Sequence, residues 1–185
     1  PRNTGLLHKV NLSRVGYYIG RHEECRFNHT ENEMADLTFP SSFETQSIST
    51  NNVTIHTRVG GVGPAVVLLH GYGETGDMWV PLAADLARDH TVIVPDLRGL
   101  GHSSKPTSGF DKKTQAGDVA DVLAALRIEE SDLVTHDIGN MVGFAFAAQH
   151  PERVRRFVLI DAPLPGILRR CGGGFGAFRA AHHLL

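Results

Sequence analysis

An aspartate stands at the joint between an apolar strand and an apolar helix in LVTHDIGNMVGFAFAAQ, residues 133–149. The joint is a sharp turn, and the small residues Thr135 and Gly139 flank Asp137 two positions before and two after. Such a turn exposes one side chain at the sheet edge where open parallel sheets bind ligands. A carboxylate there can act on a bound ligand, or it can merely cap the helix, for which Asp is a preferred residue. The residue type by itself fits both interpretations.

Two further motifs follow buried strands in the same way. HGYGETGDMW, residues 70–79, comes after the apolar run AVVLLH, and PDLRGLGHSSKP, residues 95–106, comes after TVIVPDL. Because the carboxyl ends of parallel strands meet at one edge of a sheet, both motifs are expected beside Asp137. This grouping favours a ligand site over a helix cap alone.

The elements that would position these motifs alternate regularly along the chain. An alternating stretch over 47–59 turns about an Asn-Asn pair and predicts a β-hairpin. Continuous apolar runs at 65–70, 91–97, 133–135 and 157–160 predict strands. Segments 77–87, 114–128 and 139–149 predict helices, the first two from their amphipathic spacing. Strands and helices at this spacing predict an α/β fold with a mostly parallel sheet that is covered on both faces.

The remaining segments lack such patterns. Residues 1–46 show no sustained period and are expected to be poorly ordered or peripheral, and the predicted core spans 47–166. Residues 167–185 form a Gly-rich tail. His22, Cys25 and His29 lack a second ligand pair at a usable distance, so no metal and no cofactor is predicted.

Composition excludes several classes of protein. The chain has 185 residues, 41% of them hydrophobic and 21% charged, which suits one domain. The net charge of −2 with scattered Lys and Arg argues against a nucleic-acid partner. No apolar run reaches the roughly 18 residues that a membrane span needs. Two distant cysteines indicate neither a disulfide framework nor a zinc site and favour a reducing, cytoplasmic compartment.

Four motifs together resemble one family. They are HGYG (70–73), DLRGLGHS (96–103), THDIG (135–139) and HPERVRRFVLIDAPLPG (150–166). In this order and spacing the chain resembles the α/β-hydrolase superfamily, in the branch of epoxide hydrolases and dehalogenases whose nucleophile is Asp. The resemblance covers residues 47–166 and implies that Asp137 is a nucleophile.

A carboxylate nucleophile implies a particular type of reaction. It can displace a leaving group at an sp3 carbon and form an alkyl ester, which water must then cleave. Cleavage passes through a tetrahedral oxyanion, and the resemblance implies that the backbone N–H groups of Tyr72 and Ile138 stabilise it. His70, Gly71 and His136 are expected to line or support the site.

The base that activates the water has no counterpart in this chain. In the family it is a His that follows two more strands and a lid, and the chain is expected to be truncated before them. His182 and His183 follow a Gly tract and are not expected to serve. Asp161 stands where some dehalogenase-type members carry their acid, but a loop-capping Asp fits equally well. The chain as given is therefore expected to form the ester and to stop there.

Departures from the family pattern bear on the substrate. Ile138 replaces the Trp with which haloalkane enzymes hold halide, and residues 138–141 lack the arginines with which haloacetate enzymes pair the substrate carboxylate. Gly73 replaces the usual proline of the oxyanion loop. By elimination the expected substrate is a small apolar epoxide. A haloacid or haloalkane dehalogenase remains the alternative enzyme.

A non-enzymatic alternative also remains open. A truncated core would be a remnant or an interaction module, and its exposed sheet edge could pair with another chain, including a second copy. A Ser-type esterase is disfavoured because Ser103 and Ser104 lie in the wrong loop.

Overall fold

The computed structural model describes residues 38–50 and 52–161. Its strands are β1 (Glu44–Ser49), β2 (Thr54–Gly60), β3 (Ala65–Leu69), β4 (Thr91–Pro95), β5 (Ser131–His136) and β6 (Val154–Ile160). Its α-helices are α1 (Val80–Leu86), α2 (Lys112–Ala125) and α3 (Ile138–Gln149). Short 3₁₀ helices at Gly76–Trp79 and Pro151–Arg153 precede α1 and β6. The predicted strands and helices are all present, with ends shifted by a few residues.

These strands form a single sheet in the described part of the chain, in the order β1-β2-β4-β3-β5-β6. The four strands β4, β3, β5 and β6 run parallel, while β1 and β2 form an antiparallel hairpin that joins the sheet through β2 and β4. Each parallel neighbour is reached through a helical crossover, as parallel pairing requires. The predicted α/β fold with a mostly parallel sheet is therefore confirmed.

Helices cover the central strands on both faces, because alternate residues of each strand point to opposite sides. Val67 and Leu69 of β3 belong to the core beneath α2 and α3, whereas Val66 and Leu68 pack with Trp79 on the side of α1. All five residues of β3 are buried. This double burial explains why the strand is a continuous apolar run and does not alternate.

The ordered hairpin begins earlier than the sequence predicts. Strand β1 starts at Glu44, inside the segment assigned as peripheral, and Phe39 and Phe43 before it pack against the core on the α1 side. Their two rings lie 5.1 Å apart between centroids. An aromatic pair without any period of 2 or 3.6 gives no secondary-structure signal, which is why the boundary at residue 47 is late.

Several expectations fall on residues outside the described ranges. They concern the segment 1–37, with His22, Cys25 and His29, and the segment 162–185, with His182 and His183. Within the described ranges, no helix is both long and apolar enough to cross a bilayer. The same ranges contain no cluster of three or more His, Cys, Asp or Glu side chains suited to a metal ion.

Candidate active site

The turn between β5 and α3 has an unusual backbone conformation. Asp137 has φ 47° and ψ −116°, in a region that residues other than glycine rarely occupy. Its N–H donates to the carbonyl of Ile160 at the end of β6, and its own carbonyl accepts the N–H of Asn140. Strained backbone of this kind is held only where the surroundings determine it, and it is common at functional sites.

Close packing beneath the turn explains the small residues around it. A Cβ on Gly139 would lie 2.6 Å from the carbonyl oxygen of Leu69 and 2.8 Å from that of His70. A Cβ on Gly143, one turn later, would lie 2.9 Å from both Thr135 and Phe157. The helix can therefore approach the sheet this closely only with glycine at these two positions.

The side chain of Asp137 makes no capping hydrogen bond to α3. Its Oδ2 instead accepts the backbone N–H of Tyr72, at 3.0 Å. Tyr72 lies in the loop after β3, 65 residues earlier in the chain, and its side chain is 78% exposed. The helix-cap interpretation of Asp137 therefore does not describe its contacts, and the N–H assigned to the oxyanion site faces the carboxylate.

The second N–H expected at this site belongs to Ile138. Ile138 is the first residue of α3, and N–H groups in the first turn of a helix have no partner within that helix. Its side chain packs against the core on the α2 and α3 side. The structure therefore shows that the Tyr72 N–H contacts Asp137. For Ile138 it shows only that this residue begins α3.

Glu74 and His136 join the loop after β3 to the turn after β5. Oε2 of Glu74 accepts the N–H of Gly71 at 2.8 Å and lies 3.0 Å from Nδ1 of His136. Gly71 is confined between them, since a Cβ there would lie 2.5 Å from the Glu74 oxygen and 2.7 Å from the His136 nitrogen. Sequence reasoning named Gly71 and His136 but not Glu74, whose role depends on the meeting of two loops.

Asn140 links the turn to the end of β6. Its side chain is fully buried, and its Oδ1 accepts the hydroxyl of Thr135 at 2.5 Å. Its Nδ2 donates to the carbonyl of Ile160 at 2.9 Å. That carbonyl therefore accepts N–H groups from both Asn140 and Asp137, and it fixes where β6 ends beside the turn. Sequence reasoning noted Asn140 only as a position without a cation.

Asp161 follows β6 directly and stands at the same edge of the sheet as Asp137. In the parallel pairing of β5 with β6, His136 lies opposite Ile160, so the two aspartates each come one residue after the last pair. Asp161 is exposed and has φ 49°. Its placement on the neighbouring strand is as expected, while its role as an acid stays a prediction.

His70 is a buried structural residue. Its Nε2 accepts the N–H of Leu97 at 2.9 Å, and its Nδ1 lies 2.9 Å from the carbonyl oxygen of Gly71. A ring that accepts at Nε2 and donates at Nδ1 is the neutral tautomer. Burial lowers the pKa of His70, in agreement with this. His70 thus ties the end of β3 to the end of β4.

Asp96 and Arg98 organise the loop after β4. The carboxylate of Asp96 accepts the N–H of Gly76 at 2.8 Å and that of His102 at 2.9 Å. Burial raises the pKa of Asp96, but these two bonds and the Arg58 charge outweigh burial, and the pKa is lowered. Arg98 forms a buried two-point ion pair with Asp118 of α2, with both contacts at 2.6 Å.

Lys112 is a cation at the start of α2. It is the first residue of that helix and is partly buried. Burial lowers its pKa, while the negative charges of Asp111 and Asp137 act to raise it.

The fold and the site together are typical of one class of protein. Its members have a mostly parallel α/β sheet, a carboxylate on the strand-to-helix turn and a backbone N–H that faces this carboxylate. Comparison with known proteins agrees. The chain belongs to the alpha/beta hydrolase fold family, whose profile matches residues 64–171.

Two relatives with named activities align with this chain over about two fifths of their own length. The soluble epoxide hydrolase of Corynebacterium sp. (strain C12) is 39% identical over 119 residues, which is 64% of this chain and 41% of that protein. The fluoroacetate dehalogenase of a Burkholderia species is 38% identical over 124 residues, 64% of this chain and 41% of that protein.

A solved structure agrees with these sequence matches. Cfl2 of Burkholderia cenocepacia superimposes with a TM-score of 0.67 at 35% identity, covering 73% of this chain and 46% of Cfl2. The chain therefore spans less than half the length of the proteins that it matches.

Proposed function

We propose that this protein is a hydrolase that acts through an ester between Asp137 and its substrate, and that the substrate is an epoxide with a small apolar body. The observation that carries the proposal is the carboxylate of Asp137, which makes no capping hydrogen bond to its own helix and accepts the N–H of Tyr72. A residue that served only to cap α3 would have turned its oxygen toward the first turn of that helix.

The first step is a displacement at carbon. One carboxylate oxygen of Asp137 attacks a ring carbon of the epoxide, and the ring C–O bond breaks. The ring oxygen leaves with the bonding pair and takes a proton from water. The product is an alkyl ester of Asp137 with a neighbouring hydroxyl group.

The second step is hydrolysis of that ester. Water attacks the carbonyl carbon and gives a proton to the hydroxide left by the first step, and negative charge develops on the carbonyl oxygen. The ester C–O bond then breaks, the leaving alkoxide takes the proton of the new carboxyl group, and the diol and the Asp137 carboxylate result. The Tyr72 N–H already lies at hydrogen-bond distance from Oδ2 of Asp137, so it is oriented before the charge appears. The Ile138 N–H, at the start of α3, is the second donor in this proposal.

The similarity to the soluble epoxide hydrolase supports the choice of epoxide. The similarity to the fluoroacetate dehalogenase supports an alternative, in which the same Asp137 displaces a halide from a haloacid. Both reactions begin with attack by a carboxylate at an sp3 carbon, so the leaving group distinguishes them.

The test is to incubate the purified protein with styrene oxide in water enriched in heavy oxygen. We expect either an adduct on the peptide that contains Asp137 or, if the ester turns over, heavy oxygen in its carboxylate and diol in solution. The Asp137→Asn variant should give neither, because a neutral amide oxygen is a poor nucleophile.

Asp121→Asn is the matched control, since Asp121 is exposed on α2. That variant should behave as the wild type does. A folded wild-type protein that gives no adduct, no label and no diol with epoxides or haloacids would falsify the proposal.

A further inference from the structure

A cavity of about 440 Å³ lies beside strand β2, on the α1 side of the sheet. Known small-molecule sites have volumes of about 300–1,000 Å³, so a small ligand fits here. In the sheet order, β4 and β3 separate β2 from β5. Neighbouring strands lie about 4.8 Å apart, which places β2 roughly 14 Å from β5. The cavity is therefore separate from the turn that carries Asp137.

Two aromatic rings form the apolar wall of this cavity. The Phe43 ring covers Gly60 of β2, where a Cβ would lie 2.6 Å from the ring. The Phe39 ring lies over the guanidinium of Arg58, with its centroid 4.9 Å from Cζ. Arg58 and Gly60 point to the same face of β2, because alternate residues of a strand do so. The missing side chain of Gly60 thus makes room for an aromatic surface beside Arg58.

Arg58 is the buried charged group of the cavity wall. Its side chain is only 10% exposed. Nη1 lies 3.3 Å from Oδ1 of Asp96, whose side chain is fully buried, and Nη2 lies 2.8 Å from Oδ1 of Asp77. A guanidinium has more N–H groups than these two contacts use. Arg58 is therefore held in place from two sides and keeps donors for a ligand in the cavity that it lines.

Asp77 places an acceptor next to these donors. Its Oδ1 forms the ion pair with Arg58, and its Oδ2 accepts the hydroxyl of Thr75 at 2.9 Å. Each carboxylate oxygen can accept more than one hydrogen bond, and this side chain is 46% exposed. Asp77 lines the same cavity as Arg58. The polar wall therefore offers a charged donor and a charged acceptor side by side.

A donor beside an acceptor distinguishes between classes of ligand. A carboxylate would bind Arg58 but would be repelled by Asp77, and an ammonium would bind Asp77 but would be repelled by Arg58. A neutral amide carries a C=O next to an N–H, so it can satisfy both groups and meets no like charge. A planar aromatic body suits the rings of Phe39 and Phe43.

We propose that this cavity is a second binding site, for a planar aromatic molecule that carries a carboxamide or lactam group. The ligand C=O accepts from Arg58, and the ligand N–H donates to Asp77. This inference does not depend on the hydrolase reaction at Asp137. The site also adjoins the loop after β4, because His102 lines the cavity and its backbone N–H donates to Asp96.

Three probes with one ring test the site: benzamide is neutral, benzoate is negative and benzylamine is positive at neutral pH. Each is titrated into the full-length protein labelled with nitrogen-15, and the NMR signals of backbone amides and of the Arg58 side chain are followed. We expect benzamide to shift the signals of residues 39–45 and Arg58 until they saturate. It should bind roughly tenfold more tightly than either charged probe, the scale of one hydrogen bond to a charged group.

The decisive variant is Asp77→Asn, which removes the negative charge at nearly constant size. Benzoate should then bind at least as tightly as benzamide, because Arg58 remains and the repulsion is gone. Asp85→Asn is the matched control, since Asp85 on α1 is 69% exposed and pairs with Arg88. It should leave the order of the three probes unchanged. Phe43→Leu should weaken all three probes together by roughly fivefold, the scale of one aromatic contact.

Other results overturn the inference in distinguishable ways. Equal affinities for the three probes would mean that the rings bind them without help from the polar wall. An unchanged preference for benzamide in Asp77→Asn would remove Asp77 from recognition. Shifts confined to the loops of Tyr72 and Asp137 would place the probes at the candidate active site. If no signal of residues 39–45 shifts to saturation, the cavity is not a binding site, and the proposal for Asp137 is unaffected.

Discussion

The backbone N–H of Tyr72 points at the carboxylate of Asp137, 3.0 Å from its Oδ2, across 65 residues of sequence. The contact exists because β3 and β5 are neighbours in the sheet, although β4 and α2 separate them in the chain. Both residues follow the carboxyl ends of their strands, so the two loops meet above one edge. A backbone donor is suited to this position because it is held by the fold and needs no rearrangement as charge develops.

Replacement of Tyr72 by proline removes that donor, because proline has no N–H. We expect Tyr72→Pro to slow the turnover of the Asp137 ester by roughly 10²-fold, the usual cost of one oxyanion donor. Tyr72→Ala keeps the N–H and should lose far less. Pre-steady-state kinetics with both variants measure the difference, and equal losses would assign the effect to the Tyr72 ring.

Glu74 should affect the formation of the Asp137 ester through the loop that it holds. Glu74→Ala removes the acceptor for the Gly71 N–H and the partner of His136, and it should cost about 1 kcal/mol of unfolding free energy together with slower ester formation. Glu74→Gln retains an acceptor oxygen and should keep most of both. Glu129→Ala, an exposed site before β5, is the control for chemical denaturation. If Glu74→Ala matches that control in both assays, the loop does not depend on Glu74.

Two glycine-to-alanine substitutions should change the free energy of unfolding in opposite directions. Gly139→Ala places a Cβ 2.6 Å from the Leu69 carbonyl, and the shift of α3 that must follow should cost about 1–3 kcal/mol. Gly117→Ala in α2 meets nothing within 4 Å and should stabilise the protein by about 0.5–1 kcal/mol, since alanine has less backbone freedom to lose. Urea unfolding measures both. A neutral or stabilising Gly139→Ala would contradict the close packing beneath the turn.

The pH dependence of stability should contain a contribution from His70. Burial holds its pKa in the folded state below the ordinary value of 6.5, so between these two values the unfolded chain binds more protons. The free energy of unfolding should therefore fall as the pH drops below about 6.5, by up to about 1.4 kcal/mol per pH unit.

His70→Gln removes this contribution and should flatten the profile. Part of the slope should remain, because burial also lowers the pKa of His56. Asp96 affects stability in a lower pH range. Its lowered pKa stabilises the folded state, and this contribution is lost only as the pH falls below about 3.8. Unfolding free energies at several pH values provide the check, and identical slopes in the wild type and His70→Gln would rule out the buried neutral imidazole.

Much of the fold could be predicted because its signals are local. The apolar runs that became β3 and β4 have the length and continuity of strands buried on both faces, and the spacing in α2 is that of a helix with one buried face. The start of β1 at Glu44 was missed, since Phe39 and Phe43 are buried by tertiary packing without any repeating pattern.

The candidate site likewise contains some residues that the sequence predicted and others that it did not. Asp137 and the small residues Thr135 and Gly139 were visible in one short stretch, because a tight turn imposes its demands on adjacent positions. Glu74 and Asn140 were not assigned from sequence. Each depends on contacts between elements distant in the chain, and a residue type such as Glu is common on any surface.

The sequence alone determined the order of strands and helices and the placement of an acidic residue on the turn after β5, because propensity, hydrophobic period and turn chemistry act over a few neighbouring residues. Only the tertiary structure decided what that residue faces. The strand order β4-β3-β5 brings the loop of Tyr72 to the side of Asp137, and such proximity arises from packing across the sheet, which no local pattern encodes.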